Sequence, residues 1–408
     1  MDTSELKKYI KGDKVIWMIM VALTCISLLV VYSSTGALAY RQAGGNTSHY
    51  ILRQLIFQIG GYGAILIMLN YLPVKLYNKF ANAAFLIAIL FVCLGLVFGR
   101  GGEGSTGRTL PLGFISFQPA EIAKVAIILW VARLLANSQK DPRLLRIAFL
   151  KTIAGIGVLC LLIMMANFSS AVLLFTTAVI MMFVGRVPIK YLALVMLAGV
   201  TLVVVIYFAA PMIPQKGGLG RFMTIRNRID RHLHGEKAAE SKGLSQDDFA
   251  MIAIHRGGII GVGAGKSKIS NFMPAAYNDF IYSIIIEEYG LVGGFGITIL
   301  YLIFLTRGGV IIRNSKRTFP AFLATGAVSI IILQAVINMA VSSGAIPVTG
   351  QPLPWVSWGG TSQIFTAITF GLLLSVSSET DQDSKEEVEN NFSPDGVLSD
   401  DDSILAKN

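Results

Sequence analysis

Apolar residues along this chain come in blocks of about 20 with almost no charge inside them. Between the blocks lie short stretches that gather Lys, Arg, Gly and Pro. Each block is long enough to cross a bilayer as a helix. The pattern predicts ten spans, at 15–39, 50–70, 80–99, 118–137, 149–166, 168–185, 190–211, 278–305, 319–345 and 358–377. The sixth follows the fifth almost at once. A soluble fold is excluded, because that many uncharged 20-mers could not be buried in one core. The expected fold is therefore all-α, a polytopic membrane protein of about ten transmembrane helices. The first block is too long for a cleavable signal peptide and lacks a clear small-residue cleavage site.

Composition agrees: 54% of the residues are hydrophobic and 14% charged, with mean hydropathy +0.64. Charge then orients the helices, since cytoplasmic loops carry the excess of Lys and Arg. One set of ends holds Lys7, Lys8, Lys11, Lys14, Lys75, Lys79, Lys140, Arg143, Arg146, Arg186, Lys190, Arg307, Arg313, Lys316 and Arg317. The other set holds few: Arg41, Arg53, Arg100 and Arg108, and none in 346–357. The first set is expected in the cytoplasm, with both termini, and the long segment 212–277 outside, between the seventh and eighth spans. The expected division is a short cytoplasmic segment, 1–14, a membrane domain, 15–377, and a cytoplasmic tail, 378–408. From 379 onward there are ten acidic and two basic residues, a net of −8 in a chain total of +10, which leaves +18 on the preceding 378. That tail is expected to be disordered. The basic surplus matches the positive-inside bias and implies no nucleic acid.

Cys25, Cys93 and Cys160 sit in three different spans and read as packing residues, with no CxxC and no His/Cys cluster. The stretch "GGIIGVGAGKS", 257–267, imitates a phosphate-binding loop. The true motif requires Gly five positions before the Gly of Gly-Lys-Ser, and Ile260 stands there. A glycine-rich turn or re-entrant segment is expected, with no nucleotide. His49, His232, His234 and His255 all fall on the outside segments and read as solvated loop residues.

Ionisable residues inside spans are costly, so each invites a functional reading. Glu121 and Lys124 stand three apart on the fourth span, on one helix face, as a structural ion pair or a substrate contact. Asp279 opens the eighth span from outside; it either caps the helix or serves catalysis. Glu287 and Glu288 follow eight and nine residues on. Along a continuous helix Glu287 lies about 12 Å deeper than Asp279, so the pair is expected nearer the cytoplasmic half, braced by neighbouring helices. The outside segment beside Asp279 is rich in cations, among them Arg221, Arg228, Arg256 and Lys266. A lone outward carboxylate among cations suits a substrate with an anionic head group at the outer leaflet. The last outside loop, "SSGAIPVTGQPLPWVSWGGTSQ", 342–363, is dense in Pro, Gly and Trp and is expected to be a re-entrant wall of the same cavity.

At these residues the sequence resembles the SEDS proteins (shape, elongation, division and sporulation) of the FtsW and RodA kind. "VVYSS" in the first span resembles the family's Tyr-Ser stretch. Arg108, Gly113, then Gln118-Pro119-Ala120-Glu121 with Lys124 matches Arg-Trp…Gly…Gln-Pro-[Ser/Ala]-Glu…Lys. "GGIIGVGAGKS", Asp279-Phe280-Ile281, Glu287-Glu288-x-Gly290 and "PVTGQPLPWVSWGGTS" match further family motifs in order. The resemblance implies a peptidoglycan glycosyltransferase acting on lipid II, with Asp279 as the catalytic aspartate. It implies a class B penicillin-binding protein and other divisome proteins as partners, and allows a divalent cation, Mg or Mn, with Asp279 as a possible ligand. Candidate substrate contacts are Arg108, Gln118, Lys266, Arg221 and Arg228. The chain departs from the family at Pro274-Ala275-Ala276-Tyr277-Asn278, where Pro-Glu-x-His-Thr is common, and at Thr109, where an aromatic follows the Arg. Its compact length and the opening "KGDKVIW" lean towards division over elongation. Two other functions would account for a cationic cavity with buried carboxylates: a flippase for lipid-linked oligosaccharides, and an activator without catalysis of its own.

Overall fold

The computed structural model describes residues 11–35, 48–99, 109–112, 115–212, 220–234, 244–273 and 277–391. The helices, in chain order, are α1 (Lys14–Ser34), α2 (Ser48–Tyr71), α3 (Val74–Phe98), α4 (Pro119–Ser138), α5 (Pro142–Ala166), α6 (Phe168–Val184), α7 (Ile189–Ala209), α8 (Gly220–His234), α9 (Gln246–Gly257), α10 (Ile281–Asn314), α11 (Thr318–Ser342) and α12 (Thr361–Asn391). A two-stranded antiparallel ribbon, β1 (Leu110–Leu112) and β2 (Ile115–Phe117), precedes α4. Among the described residues, eight helices are long and apolar enough to cross a membrane. The predicted spans outside that set are α4, which carries Glu121, Lys124 and Arg133, and α6, which has 17 residues. Both pack inside the bundle: α4 against α3, α5, α6 and α11, and α6 against α5, α4 and α11.

Local signals explain the boundaries. Asp13 caps α1 by accepting from the N–H groups of Val15 and Ile16 at 2.8 and 3.2 Å. Asp141 caps α5 with Pro142 behind it, where a missing N–H costs nothing. Asn167 ends α5 and caps α6 in one residue, its side chain accepting from the Ser170 N–H at 3.2 Å. That single shared residue is why the fifth and sixth spans run together in the sequence.

One end of the bundle is tied by basic side chains. Arg307 pairs with Asp13 at 2.5 Å, and Arg133 donates to the carbonyls of Asn78 and Lys79 at 2.7 and 3.1 Å. Arg317 pairs with Glu379 and Asp383. These last contacts belong to a helix that runs on to Asn391, so the expected disordered tail from 378 is corrected: α12 continues well beyond the apolar part. Its acidic residues there find a partner on the neighbouring helix start. Residues 392–408 lie outside the described part.

The eighth predicted span is also corrected. Ile281–Asn314 is two helices joined at Gly290, whose φ of 71° and ψ of −173° reverse the chain. Tyr282 and Thr298, sixteen residues apart, share a hydrogen bond of 3.2 Å between their hydroxyls. On a straight helix they would stand about 24 Å apart. Ile281–Tyr289 is therefore a half-helix folded back against Leu291–Asn314, and its tip points away from the basic end.

The glycine-rich loop closes this tip. A reversal inside a helix strands the carbonyls before it and the N–H groups after it. Here Val262 and Gly263 donate to the carbonyls of Glu287 and Glu288 at 2.9 and 3.0 Å, and Leu291 and Val292 donate to those of Gly258 and Ile259 at 2.9 and 3.3 Å. Backbone lies on backbone, and a Cβ at Gly257 would meet the Ile286 carbonyl oxygen at 2.0 Å. The resemblance to a phosphate loop is thus a packing motif.

A second re-entrant segment, 343–360, enters from the same end. Trp355 is buried and reaches the middle of α1, where its indole N–H donates to the Met20 carbonyl and the Thr24 hydroxyl at 3.2 and 2.8 Å. It holds φ at 65°, a strained value for a non-glycine residue. Burial of its ring against Tyr62 and Phe370 offsets the strain.

Candidate functional site

Between the segment that leads into the half-helix, the second re-entrant segment, α2 and the start of α4 lies a polar cavity of about 230 Å³. Arg53, Thr109, Gln118, Glu121, Tyr277, Asn278, Pro352 and Trp358 are among its walls. Asp279 is partly exposed and follows directly on Tyr277 and Asn278. Three successive carbonyls fix its segment. Tyr277 O accepts from the Trp358 N–H at 3.0 Å, Asn278 O from the Ser357 hydroxyl at 2.7 Å, and Asp279 O from the Asn338 amide at 2.9 Å. Phe280, not Asp279, occupies the N-cap position of the half-helix. Burial, then Tyr50 and Asp279, holds the Tyr277 phenol above its ordinary range, so it stays a neutral O–H group.

Glu121 and Lys124 form the expected pair at 2.8 Å, with 6% of each side chain exposed. Lys124 also donates to Gln334 Oε1 at 3.1 Å. The pair is both structural and at the site, because Glu121 also lines the cavity. Gln118 lies in the same wall. Arg108 falls outside the described residues, as does the side chain of Arg221.

The other predicted cations are elsewhere. Arg228 donates to the Val348 carbonyl at 2.9 Å and lines a different, mostly apolar cavity of about 330 Å³ with Asn167, Ile337, Pro347 and Thr349. Lys266 is exposed on the glycine loop. Among the described residues, the cation in the wall of the polar cavity is Arg53, whose guanidinium lies 5.3 Å from the Trp358 ring centroid. Sequence reading counted Arg53 only as a charge at a helix end. Gln334 and Asn338 were also missed, although two amides four apart in the apolar run of α11 were a visible signal.

The placing of Glu287 and Glu288 is reversed from expectation. Because the helix folds back, both lie on the side of Asp279 away from the basic end. Glu287 has no exposed surface and accepts from Arg256 at 2.9 Å, from the Ser267 hydroxyl and from the Lys268 N–H at 3.2 Å. Glu288 accepts from Ser33, one residue before the end of α1. The pair braces the tip of the hairpin, and the bracing comes from the glycine loop and α1. Among the described residues no three His, Cys, Asp or Glu side chains gather as a metal site.

Residues 13–382 match the family model described as cell cycle protein FTSW_RODA_SPOVE. A probable peptidoglycan glycosyltransferase FtsW from Bacillus subtilis is 31% identical over 389 residues, covering 91% of this chain and 92% of its own length. One of the same name from Geobacter sulfurreducens is 28% identical over 386 residues, covering 93% and 97%. In fold the chain is similar to a member of a peptidoglycan synthase complex described as coordinating polymerization and crosslinking, with TM-score 0.70, 24% identity, and 91% and 99% of the two chains covered. It is likewise similar to the rod shape determining protein RodA of Thermus thermophilus, with TM-score 0.64, 21% identity, and 92% and 99% covered. This chain belongs to the FtsW/RodA/SpoVE family, and within it is FtsW-like.

Proposed function

We infer that this chain is a peptidoglycan glycosyltransferase in which the Asp279 carboxylate takes the proton of an acceptor sugar hydroxyl. The observation that carries the residue assignment is the polar cavity itself. The Asp279 segment, clamped by three carbonyl hydrogen bonds, adjoins a polar cavity walled by its neighbours Tyr277 and Asn278, by Arg53 and by the ion-paired Glu121.

The substrate is lipid II, a disaccharide-pentapeptide on undecaprenyl pyrophosphate. Asp279 accepts the proton of the acceptor's 4-hydroxyl. The oxygen forms a bond to the anomeric carbon of the growing strand. The bond from that carbon to the pyrophosphate oxygen breaks, and undecaprenyl pyrophosphate leaves with the electron pair. Arg53 stands where a cation can neutralise the departing charge. Gln118 and Asn278 supply amide groups for the sugar hydroxyls. Arg228, at the apolar cavity, is suited to a lipid-linked anion whose tail lies among Ile337, Ile346 and Pro347. A hard divalent ion, held by one carboxylate, water and substrate phosphate, fits Asp279 and would supply charge neutralisation at the pyrophosphate.

The FtsW name of its relatives favours septal wall synthesis during division. A class B penicillin-binding protein is the proposed partner, supported by the fold shared with a chain of a polymerising and crosslinking complex. The proposed location is the cytoplasmic membrane, with both termini inside and the polar cavity facing out, a reading supported by the Lys and Arg of the basic end. A lipid-linked-oligosaccharide transporter is the second reading. The half-helix favours it, because discontinuous helices mark many transporters.

The test is the purified chain with lipid II, alone and with a class B penicillin-binding protein, scored for glycan strands. Wild type is expected to make strands, and Asp279→Ala to lose at least about 10²-fold. Equal activity in both would remove Asp279 from the mechanism. Vesicle flipping without polymer would favour transport.

A further inference from the structure

We propose that Asn338 is a positioning residue for the Asp279 carboxylate, acting through the backbone; this rests on the reading of Asp279 as the base. Asn338 has no exposed surface and stands one turn before the end of α11. Its Nδ2 donates to the Asp279 carbonyl at 2.9 Å and to the Gln351 carbonyl at 2.8 Å. Both partners are acceptors only, so the amide orientation follows from them, and both hydrogens of the group are used.

The clamp has a second rung. Gln334, four residues earlier on the same face, donates to the Pro352 carbonyl at 2.9 Å and accepts from Lys124. Consecutive carbonyls of the re-entrant segment, 351 and 352, are thus held by amides one turn apart on a single helix. Gln351 is anchored in turn to α6, donating to the Ser170 hydroxyl at 3.0 Å. Asn338 ties this scaffold to residue 279.

Asp279 stands ahead of the half-helix, which begins at Ile281. The donors to Tyr277 and Asn278 both come from the re-entrant segment. Asn338, by contrast, comes from a continuous helix of the bundle centre. Freed from Asn338, the segment keeps its walls but loses the register of the carboxylate against the cavity. A displacement of about 1 Å can cost on the order of 10²-fold in rate.

The experiment compares kcat and KM for lipid II in the purified full chain under conditions in which wild type polymerises. Asn338→Ala, which keeps no donor, is expected to lose about 10²-fold in kcat with KM within about threefold. Asn338→Ser, which keeps one, should fall between. Activity is read below the onset of thermal unfolding of each variant and divided by its folded fraction. If Asn338→Ala does not fold, Asn338→Ser decides on the same terms. Wild-type kcat in a folded variant, or a kcat loss matched by an equal loss of folded protein, would overturn the proposal. Asp279→Ala is run beside them: if it stays active, the reading of Asp279 fails, whereas an inactive Asp279→Ala with an unaffected Asn338 variant sinks this inference alone.

Discussion

Glu121 and Lys124 show how residue chemistry decides what a helix inside a bundle can carry. Each is nearly sealed from solvent, and each charge depends on the other. Removing one partner strands a buried charge, at about 3–5 kcal/mol, whereas removing both can be close to neutral. Glu121→Gln or Lys124→Met should therefore lower the thermal midpoint far more than the double variant, as read by unfolding in detergent. A double variant no more stable than the worse single one would contradict the pairing. The i, i+3 spacing made this pair legible in the sequence, as did the lone carboxylate at 279. Asn338 was not legible as a clamp, because its partners are carbonyls contributed by residues 279 and 351. Backbone acceptors leave no trace in residue identity. Arg53 was hidden for a related reason: only the folded re-entrant segment brings Trp358 over its guanidinium.

Among elements, the hairpin of α10 carries the site. Hydropathy gave its apolar length and missed its reversal, since an apolar block reads alike whether it crosses once or folds back. The signal was there in Gly290, which follows the two glutamates and a tyrosine. Its left-handed φ suits glycine, and a Cβ would stand 2.1 Å from the Ile259 carbonyl oxygen. Gly290→Ala should separate the glycine loop from the tip, at a cost above the roughly 1–3 kcal/mol of backbone strain alone. The check is thermal stability and protease resistance of the 257–268 loop; an alanine variant as stable and as protected as wild type would refute the hairpin. The depth ordering of Asp279 and Glu287 follows from the same reversal. Counting residues along a straight helix put the glutamates deeper, and the fold puts them at the tip, where Arg256 and Ser33 meet them.

At the scale of the molecule, the basic end, the bundle centre and the re-entrant end divide the work. Arg307 with Asp13, and Arg317 with Glu379 and Asp383, bind helices far apart in sequence at one end. α4 and α11 fill the centre and hold the ion pair and the amide clamp. The opposite end carries both re-entrant segments, two cavities and Asp279. Lys and Arg positions made the polarity of this arrangement readable before the fold was known. The account stands on the proposal that the carboxylate at 279, beside the polar cavity, is reached from the outer side by a membrane-tethered sugar. The direct measurement replaces Cys25, Cys93 and Cys160 with alanine, introduces Asp279→Cys, and exposes intact cells to a membrane-impermeant thiol reagent. The account predicts labelling without permeabilisation, slowed when lipid II is supplied to outward-facing vesicles. Labelling only after the cytoplasmic face is opened, or only after denaturation, would contradict it.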